Sequence, residues 1–301
     1  MAYRYVVLDV FTDRPLSGNP LAVFPEAAGL DDGQMQAIAR EFNLSETVFV
    51  FPPANPRHSA TVRIFTPQSE LPFAGHPTVG TAVLIAIEKT KHLGPGRHEM
   101  MVLLDEKVGL VRCGVFVTGG GNGHAILDVP RNPEEVAGGG DRDAIAVALG
   151  LTPGEIGFEN HKPGVFSAGV AFSFVPVRDL AVIARAKPNG AAWQRAFEER
   201  GAFLYCRQTE SAGRQFHARM FWPGNGMAED PATGSAAAAF SEAIRKFDAL
   251  LPGAHRYVIE QGFEMGRPSL IKLELDVANG EVAAARVGGD AVIVAEGTLN
   301  V

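Results

Sequence analysis

His76-Pro77-Thr78-Val79-Gly80-Thr81-Ala82 aligns without a gap on Asp230-Pro231-Ala232-Thr233-Gly234-Ser235-Ala236, at a constant offset of 154 residues. Proline is tolerated at the first position of a helix because its missing N–H would be unpaired there anyway. Both stretches therefore predict a helix start, with His76 and Asp230 at the N-cap. Asp230 suits that place, since a carboxylate accepts bonds from free amides and is favoured by the helix dipole. His76 is a poor cap, which asks for a functional reason. Glycine at 80 and 234 costs about 1 kcal/mol of helix propensity relative to alanine, and it leaves bare backbone that a ligand can approach. With the hydroxyls of Thr81 and Ser235 beside them, the two starts read as compact anion-binding helix ends. Beyond Ala236 the bland reading holds, in which small residues only fill a core.

The match continues upstream. Arg63-Ile64-Phe65-Thr66-Pro67 is repeated as Arg219-Met220-Phe221-Trp222-Pro223, and each is followed by a glycine-containing loop leading to its helix. A duplicated chain of 301 residues also exceeds the roughly 250–300 at which single cores stop growing, so two domains are the default. If the halves pack about a pseudo-twofold axis, the two helix starts face one cleft. The main boundary is placed near residues 128 to 142.

Elsewhere the chain alternates between strand and helix patterns. Tyr5 to Phe11 and Leu21 to Phe24 read as strands around a turn carrying Gly18 and Asn19. A helix capped by Asp31 or Asp32 carries Met35, Ile38, Ala39 and Phe42 at helical spacing and stops at Asn43. Strands follow at Glu46 to Phe51 and Val62 to Phe65, and an apolar helix at about Pro77 to Glu88. Gly119 to Gly123 lie between the strand-like runs Leu110 to Val117 and His124 to Val129, which makes them a hairpin turn rather than a phosphate loop. Gly138 to Gly140 precede a helix at about Asp143 to Leu149 and read as a linker.

Composition narrows the function. The chain is 46% hydrophobic and 20% charged, with a net charge of −7 and a pI of about 5.6, which describes a globular protein. It argues against nucleic acid and anionic membranes as partners, because both need a basic face. No apolar run approaches the roughly 20 residues of a membrane span, and the start MAYRYVVLDVF lacks signal-peptide order; a cytoplasmic protein is expected. Cys113 and Cys206 belong to no C-x-x-C pair and read as buried, reduced thiols. No G-x-G-x-x-G follows a strand and no Walker loop is present, so no cofactor is expected. Glu46 opens a very apolar strand. It is either a solvent-exposed strand end or a buried carboxylate, and burial would move its pKa towards a range useful for taking and giving a proton.

SGNPLAVF (Ser17 to Phe24), NLSETVFV (Asn43 to Val50), RIFTPQSELPFAGHP (Arg63 to Pro77) and EDPATGSA (Glu229 to Ala236) resemble the PhzF family of phenazine biosynthesis proteins, and QGFEMGRPSL (Gln261 to Leu270) looks like its late segment. The resemblance implies an α+β, diaminopimelate-epimerase-like fold. Two pseudo-symmetric halves each wrap an antiparallel sheet or barrel around a central helix, with the active site between them. The first half would be residues 1–128 plus about 287–301, returning through a final strand at about Val287 to Val294, and the second 129–286. A homodimer is also implied. Related racemases carry an acid/base cysteine at each helix start; here those places hold Gly75-His76 and Glu229-Asp230, so a two-thiol mechanism has no nucleus.

The resemblance makes this a cofactor-independent isomerase or epimerase that moves a proton on a small carboxylate substrate, such as in isomerising a dihydro-hydroxyanthranilate. Glu46 is the implied acid/base. His76 would bond the substrate or shuttle a proton, Asp230 would orient a polar group, and Gly75, Gly234 and Ser235 would hold the substrate carboxylate. A metal at Glu46, His76 and Asp230 is disfavoured by a single histidine without local ligand spacing, and none is expected. Arg63 and Arg219 read as braces for the two loops, Asn19 as either turn chemistry or a cleft residue, and His217, on a strand face with Gln215 and Arg219, as either structural or a residue near the cleft. His58, His92, His98, His124, His161 and His255 show no constellation. The alternative to an enzyme is a non-catalytic small-acid binding or scaffold protein of the same fold; a serine hydrolase at Ser235 lacks the G-x-S-x-G elbow.

Overall fold

A helix that is apolar on every side has to be surrounded, and the segment Val79 to Ile87 has no polar face. The computed structural model describes residues 1–94, 96–225 and 227–301. It divides the chain into two units, Met1–Pro130 with Gly288–Val301, and Arg131–Val287. Unit 1 contains β1 (Ala2–Val10), β2 (Asn19–Phe24), α1 (Asp32–Phe42), β3 (Glu46–Phe51), β4 (Ala60–Phe65), β5 (Glu70–Leu71), α2 (Gly75–Thr90), β6 (His98–Glu106), β7 (Gly109–Gly119) and β8 (Asn122–Asp128). Unit 2 contains β9 (Glu134–Val136), α3 (Arg142–Leu149), β10 (Gly164–Ser167), β11 (Ala171–Pro176), α4 (Leu180–Arg185), α5 (Gly190–Phe197), β12 (Ala202–Cys206), β13 (Phe216–Trp222), β14 (Met227–Asp230), α6 (Gly234–Asp248), β15 (Gly253–Gln261) and β16 (Ser269–Ala278). The last strand, β17 (Glu281–Asn300), carries the chain from unit 2 back into unit 1.

In unit 1, β1 pairs with β2, β2 with β3, β3 with β4, β4 with β6, β6 with β7 and β7 with β8. Strand β17 pairs with both β8 and β1 and closes the barrel. Helix α2 fills it, with nearly every residue from Gly75 to Ile87 buried. Gly80 lies inside this helix rather than at a ligand. A Cβ there would come within 2.7 Å of Leu21 Cδ2 on β2 and 2.8 Å of Val10 Cγ2 on β1, so glycine sets how closely the helix approaches the wall. Outside the barrel, α1 buries Met35, Ile38 and Ala39 against Phe24, Phe49 and Phe65. Its start is a capping box in which Asp31 accepts from the Gln34 N–H at 2.8 Å and donates its own N–H to Gln34 Oε1. Asn43 ends it at φ 49°, the left-handed conformation that asparagine tolerates.

The duplication is visible in the pairing. Strands β2 and β3 are parallel across α1, β3 and β4 antiparallel, and β4 and β6 parallel across α2. In unit 2, β11 and β12 are parallel across α4 and α5, β12 and β13 antiparallel, and β13 and β15 parallel across α6. The equivalent arginines make the same brace. Arg63 on β4 donates from Nε and Nη2 to the two Glu70 oxygens at 2.8 and 2.7 Å. Arg219 on β13 does so to Glu229, both at 2.8 Å. Arg219 Nη1 also donates to the carbonyls of Ile183, Ala184 and Ala186 at the end of α4, where a cation complements the helix dipole. Helices α3, α4 and α5 bury Leu149, Ile183 and Phe197 against Leu204, Cys206 and Phe221. Among the described residues, no helix is long and apolar enough to cross a membrane.

Candidate active site

Strand β3 begins at Glu46 and α2 begins at Gly75, and the fold sets the two side by side in unit 1. Glu46 Oε2 lies 3.4 Å from His76 Nδ1, and Asn19 Nδ2, at the first residue of β2, lies 3.4 Å from the same nitrogen. His76 is 4% exposed and Glu46 12%. Burial pushes the His76 imidazole down to about 3, so it is neutral at ordinary pH. With the ring neutral, the contact with Glu46 is not an ion pair. Of these two neighbours it is the Asn19 amide that meets Nδ1 in hydrogen-bond geometry, and whether Nδ1 accepts from it depends on the tautomer. His76 Nε2 is buried with no hydrogen-bond partner among the described residues.

The helix starts differ from their sequence expectation. Helix α2 starts one residue before His76, with Ala74 as its extended N-cap and no side-chain cap, so His76 and Pro77 lie within its first turn. Helix α6 starts at Gly234, and its N-cap is Thr233, not Asp230. Although the sequences align, the second helix begins later in the alignment, and the side chains explain why. Thr233 donates its hydroxyl to Asp230 Oδ2 at 2.5 Å. Gln261, at the end of β15, donates to the Asp230 carbonyl at 2.7 Å and accepts from the Thr233 N–H at 3.1 Å. These bonds hold 230–233 out of the helix; the position matching Thr233 in the first half is Val79, which has no hydroxyl. Asp230 is thus buried, and Gly234 and Ser235 are the first residues of α6.

His217 is buried and charged. Its Nδ1 lies 3.0 Å from Glu260 Oε2 and its Nε2 3.1 Å from Glu264 Oε1, with His217 and Glu260 fully buried. Burial lowers its affinity for a proton, but the two carboxylates outweigh burial and raise it to about 9. Glu260 also accepts from the Glu210 and Ser211 amides and from Arg214. His161 likewise has partners, Tyr205 Oη at 2.9 Å and Asp248 Oδ1 at 2.8 Å. Glu159, His161 and Asp248 bring ligand-type atoms within 4.8 Å of one another. The Arg207 guanidinium bonds Asp248 and reaches His161 Nε2 at 3.3 Å, so the protein supplies that cation itself. Asp248 ends α6, about 20 Å along the helix from Gly234 at 1.5 Å per residue. Both cysteines are free and buried. Gln261 and the partners of His217 and His161 carry no local sequence signal, because each contact joins residues 28 or more apart.

Comparison with known proteins gives one consistent result. The family model described as phenazine biosynthesis-like protein, PhzC-PhzF, matches residues 8–297. An uncharacterized isomerase of Mesorhizobium japonicum is 49% identical over 302 residues, 98% of either chain. A trans-2,3-dihydro-3-hydroxyanthranilate isomerase of Pseudomonas chlororaphis is 33% identical over 297 residues, 99% of either chain. The crystal structure of a PhzF-family phenazine biosynthesis protein from Bacillus anthracis matches over 100% of both chains with a TM-score of 0.87 at 24% identity, a likeness of fold.

Proposed function

This chain belongs to the PhzC-PhzF, phenazine biosynthesis-like, family and is an isomerase, and we propose that it works by cofactor-independent acid/base catalysis with Glu46 as the proton carrier. The observation that supports this is the 3.4 Å approach of Glu46 to a neutral, buried His76. The Glu46 carboxylate takes a proton from carbon beside a conjugated system of the substrate and returns it at another carbon. His76 assists without becoming a cation. It stays neutral and assists by hydrogen-bonding the substrate while Glu46 carries the proton. The further substrate-binding groups proposed are the Gly75 amide in unit 1 and, in unit 2, Asp230 for a polar substituent and the Gly234 amide with the Ser235 hydroxyl for a carboxylate. The substrate is a small conjugated carboxylic acid of the trans-2,3-dihydro-3-hydroxyanthranilate type.

The test is Glu46→Gln, assayed with trans-2,3-dihydro-3-hydroxyanthranilate in deuterated water. The wild type is expected to turn it over with label taken up at carbon. The variant keeps the side-chain shape and loses the proton carrier, so its turnover falls by about 10²–10⁴-fold while ligand affinity stays within about tenfold. Turnover by the variant at near the wild-type rate refutes the assignment.

A further inference from the structure

Glu106, the last residue of β6, is buried in unit 1, and the mechanism above does not use it. Its Oε1 lies 2.7 Å from Thr78 Oγ1, and the same hydroxyl lies 2.7 Å from the Ala74 carbonyl. A threonine hydroxyl has one hydrogen. The Ala74 carbonyl can only accept. Two full, two-centre bonds are made together when the Glu106 carboxyl carries a hydrogen and donates it to Thr78, which in turn donates to Ala74. Glu106 Oε2 has no partner among the described residues, which suits a neutral acid and would be costly for an anion. Burial, opposed only by the Thr78 bond, pushes this carboxyl up to about 8.

The next two residues reach the same stretch of chain. Lys107 Nζ donates to Glu70 Oε2 at 2.6 Å, and the Val108 N–H donates to the Pro72 carbonyl at 3.1 Å. Three successive residues thus hold Glu70, Pro72 and, through Thr78, Ala74. That stretch ends in Gly75 and His76. We propose that protonated Glu106, acting through Thr78, is a positioning residue that sets the first turn of α2 and with it the place of His76. The proposal rests on His76 belonging to the active site.

When Glu106 ionises, the single Thr78 hydrogen turns to the carboxylate and the Ala74 carbonyl loses it. Of the charged and titratable groups around Glu106, Cys113 on β7 stays a thiol, pushed up by burial and by the Glu106 and Asp128 charges. Asp128 ends β8, Lys107 is turned to Glu70, and α2 contributes Thr78 and, two residues before it, the neutral His76. None of these supplies a cation that would favour the ionised form.

The test follows the His76 ring nitrogens by NMR in ¹⁵N-histidine-labelled full-length chain between about pH 6 and 10, a range that brackets the Glu106 titration. The wild type is expected to show a step in the His76 shifts with a midpoint near 8. Glu106→Gln, whose amide can donate to Thr78 without titrating, should hold the low-pH shifts throughout. Thr78→Val, which removes the hydroxyl between the two groups, should lose the step, and Thr78→Ser should keep it. Wild-type signals that stay still across the range, or a full step in Glu106→Gln or Thr78→Val, overturn the proposal. Glu46→Gln should retain the step, so an active Glu46→Gln would remove the catalytic assignment while leaving this one standing.

Discussion

Raising the pH should weaken unit 2 through one buried side chain. His217 sits between Glu260 and Glu264, and its proton is held to about 9 instead of the ordinary 6.5. At about 1.4 kcal/mol per pH unit the separation is worth about 3 kcal/mol. The folded value is raised, so this stability is present in full below pH 6.5, declines between 6.5 and about 9, and is gone above. On the acid side, Glu260 and Glu264 are held below the ordinary carboxylate value: burial works to raise them, and the bonds to His217 among others outweigh it. Their contribution is present above about 4.5 and is lost as the pH falls through their folded values. The assay is urea unfolding followed by tryptophan fluorescence, because the chain has two tryptophans, Trp193 and Trp222, and both lie in unit 2. His217→Gln is the reference, since it does not titrate. The wild-type advantage over it should shrink by about 3 kcal/mol between pH 6.5 and about 9. Stability curves that run parallel over that window refute the charged, doubly paired histidine.

Two further outcomes follow from packing. Gly80→Ala gains up to about 1 kcal/mol of helix propensity, yet its methyl meets Leu21 and Val10 at 2.7 and 2.8 Å, and overpacking costs about 1–3 kcal/mol; a lowered melting temperature is expected, and a raised one would show that the wall yields. Burial pushes the Cys206 thiol up to about 12 and Cys113 higher still. Iodoacetamide should therefore leave the native protein unlabelled at pH 8 and label both thiols only after unfolding, as read by mass spectrometry; stoichiometric labelling of the native chain would reopen a thiol mechanism.

Local pattern carried much of the fold. Helix α1 was legible to the residue at its Asn43 end and to within one residue at its start, where Asp31 and not Asp32 is the cap, because Asp31, Gln34 and Asn43 satisfy their bonds within the helix itself. The duplication was legible because the arginine braces and helix starts repeat. What could not be read was the true start of each duplicated helix. Proline marks a possible first turn, but the later start of α6, at Gly234 where the first half has Gly80, rests on Gln261, which follows Thr233 by 28 residues. Gly80 was read as room for a ligand and instead gives room to β1 and β2. In the candidate site, residue types were legible and their partners were not. Glu46 and His76 are 30 residues apart in sequence, and only the pairing of β3 and α2 within one barrel brings them to 3.4 Å. Thr78 and Glu106 gave no signal at all, since an ordinary threonine and glutamate become informative only through a shared hydrogen.

The return of β17 to unit 1 bears on the order in which the protein can be made. Residues 288–301 leave the ribosome after all of Arg131–Val287, yet they supply the strand that joins β1 to β8. Until then the barrel around α2 stays open, with one edge of β1 and one of β8 bare. Unpaired edges template association with other chains, and contacts between the two ends of a chain form late because so much loop entropy must be lost first. Unit 2, continuous from end to end, can complete its own pairings during synthesis. Unit 1, although its residues emerge first, finishes last, and the nascent chain has to be kept from aggregating through that interval.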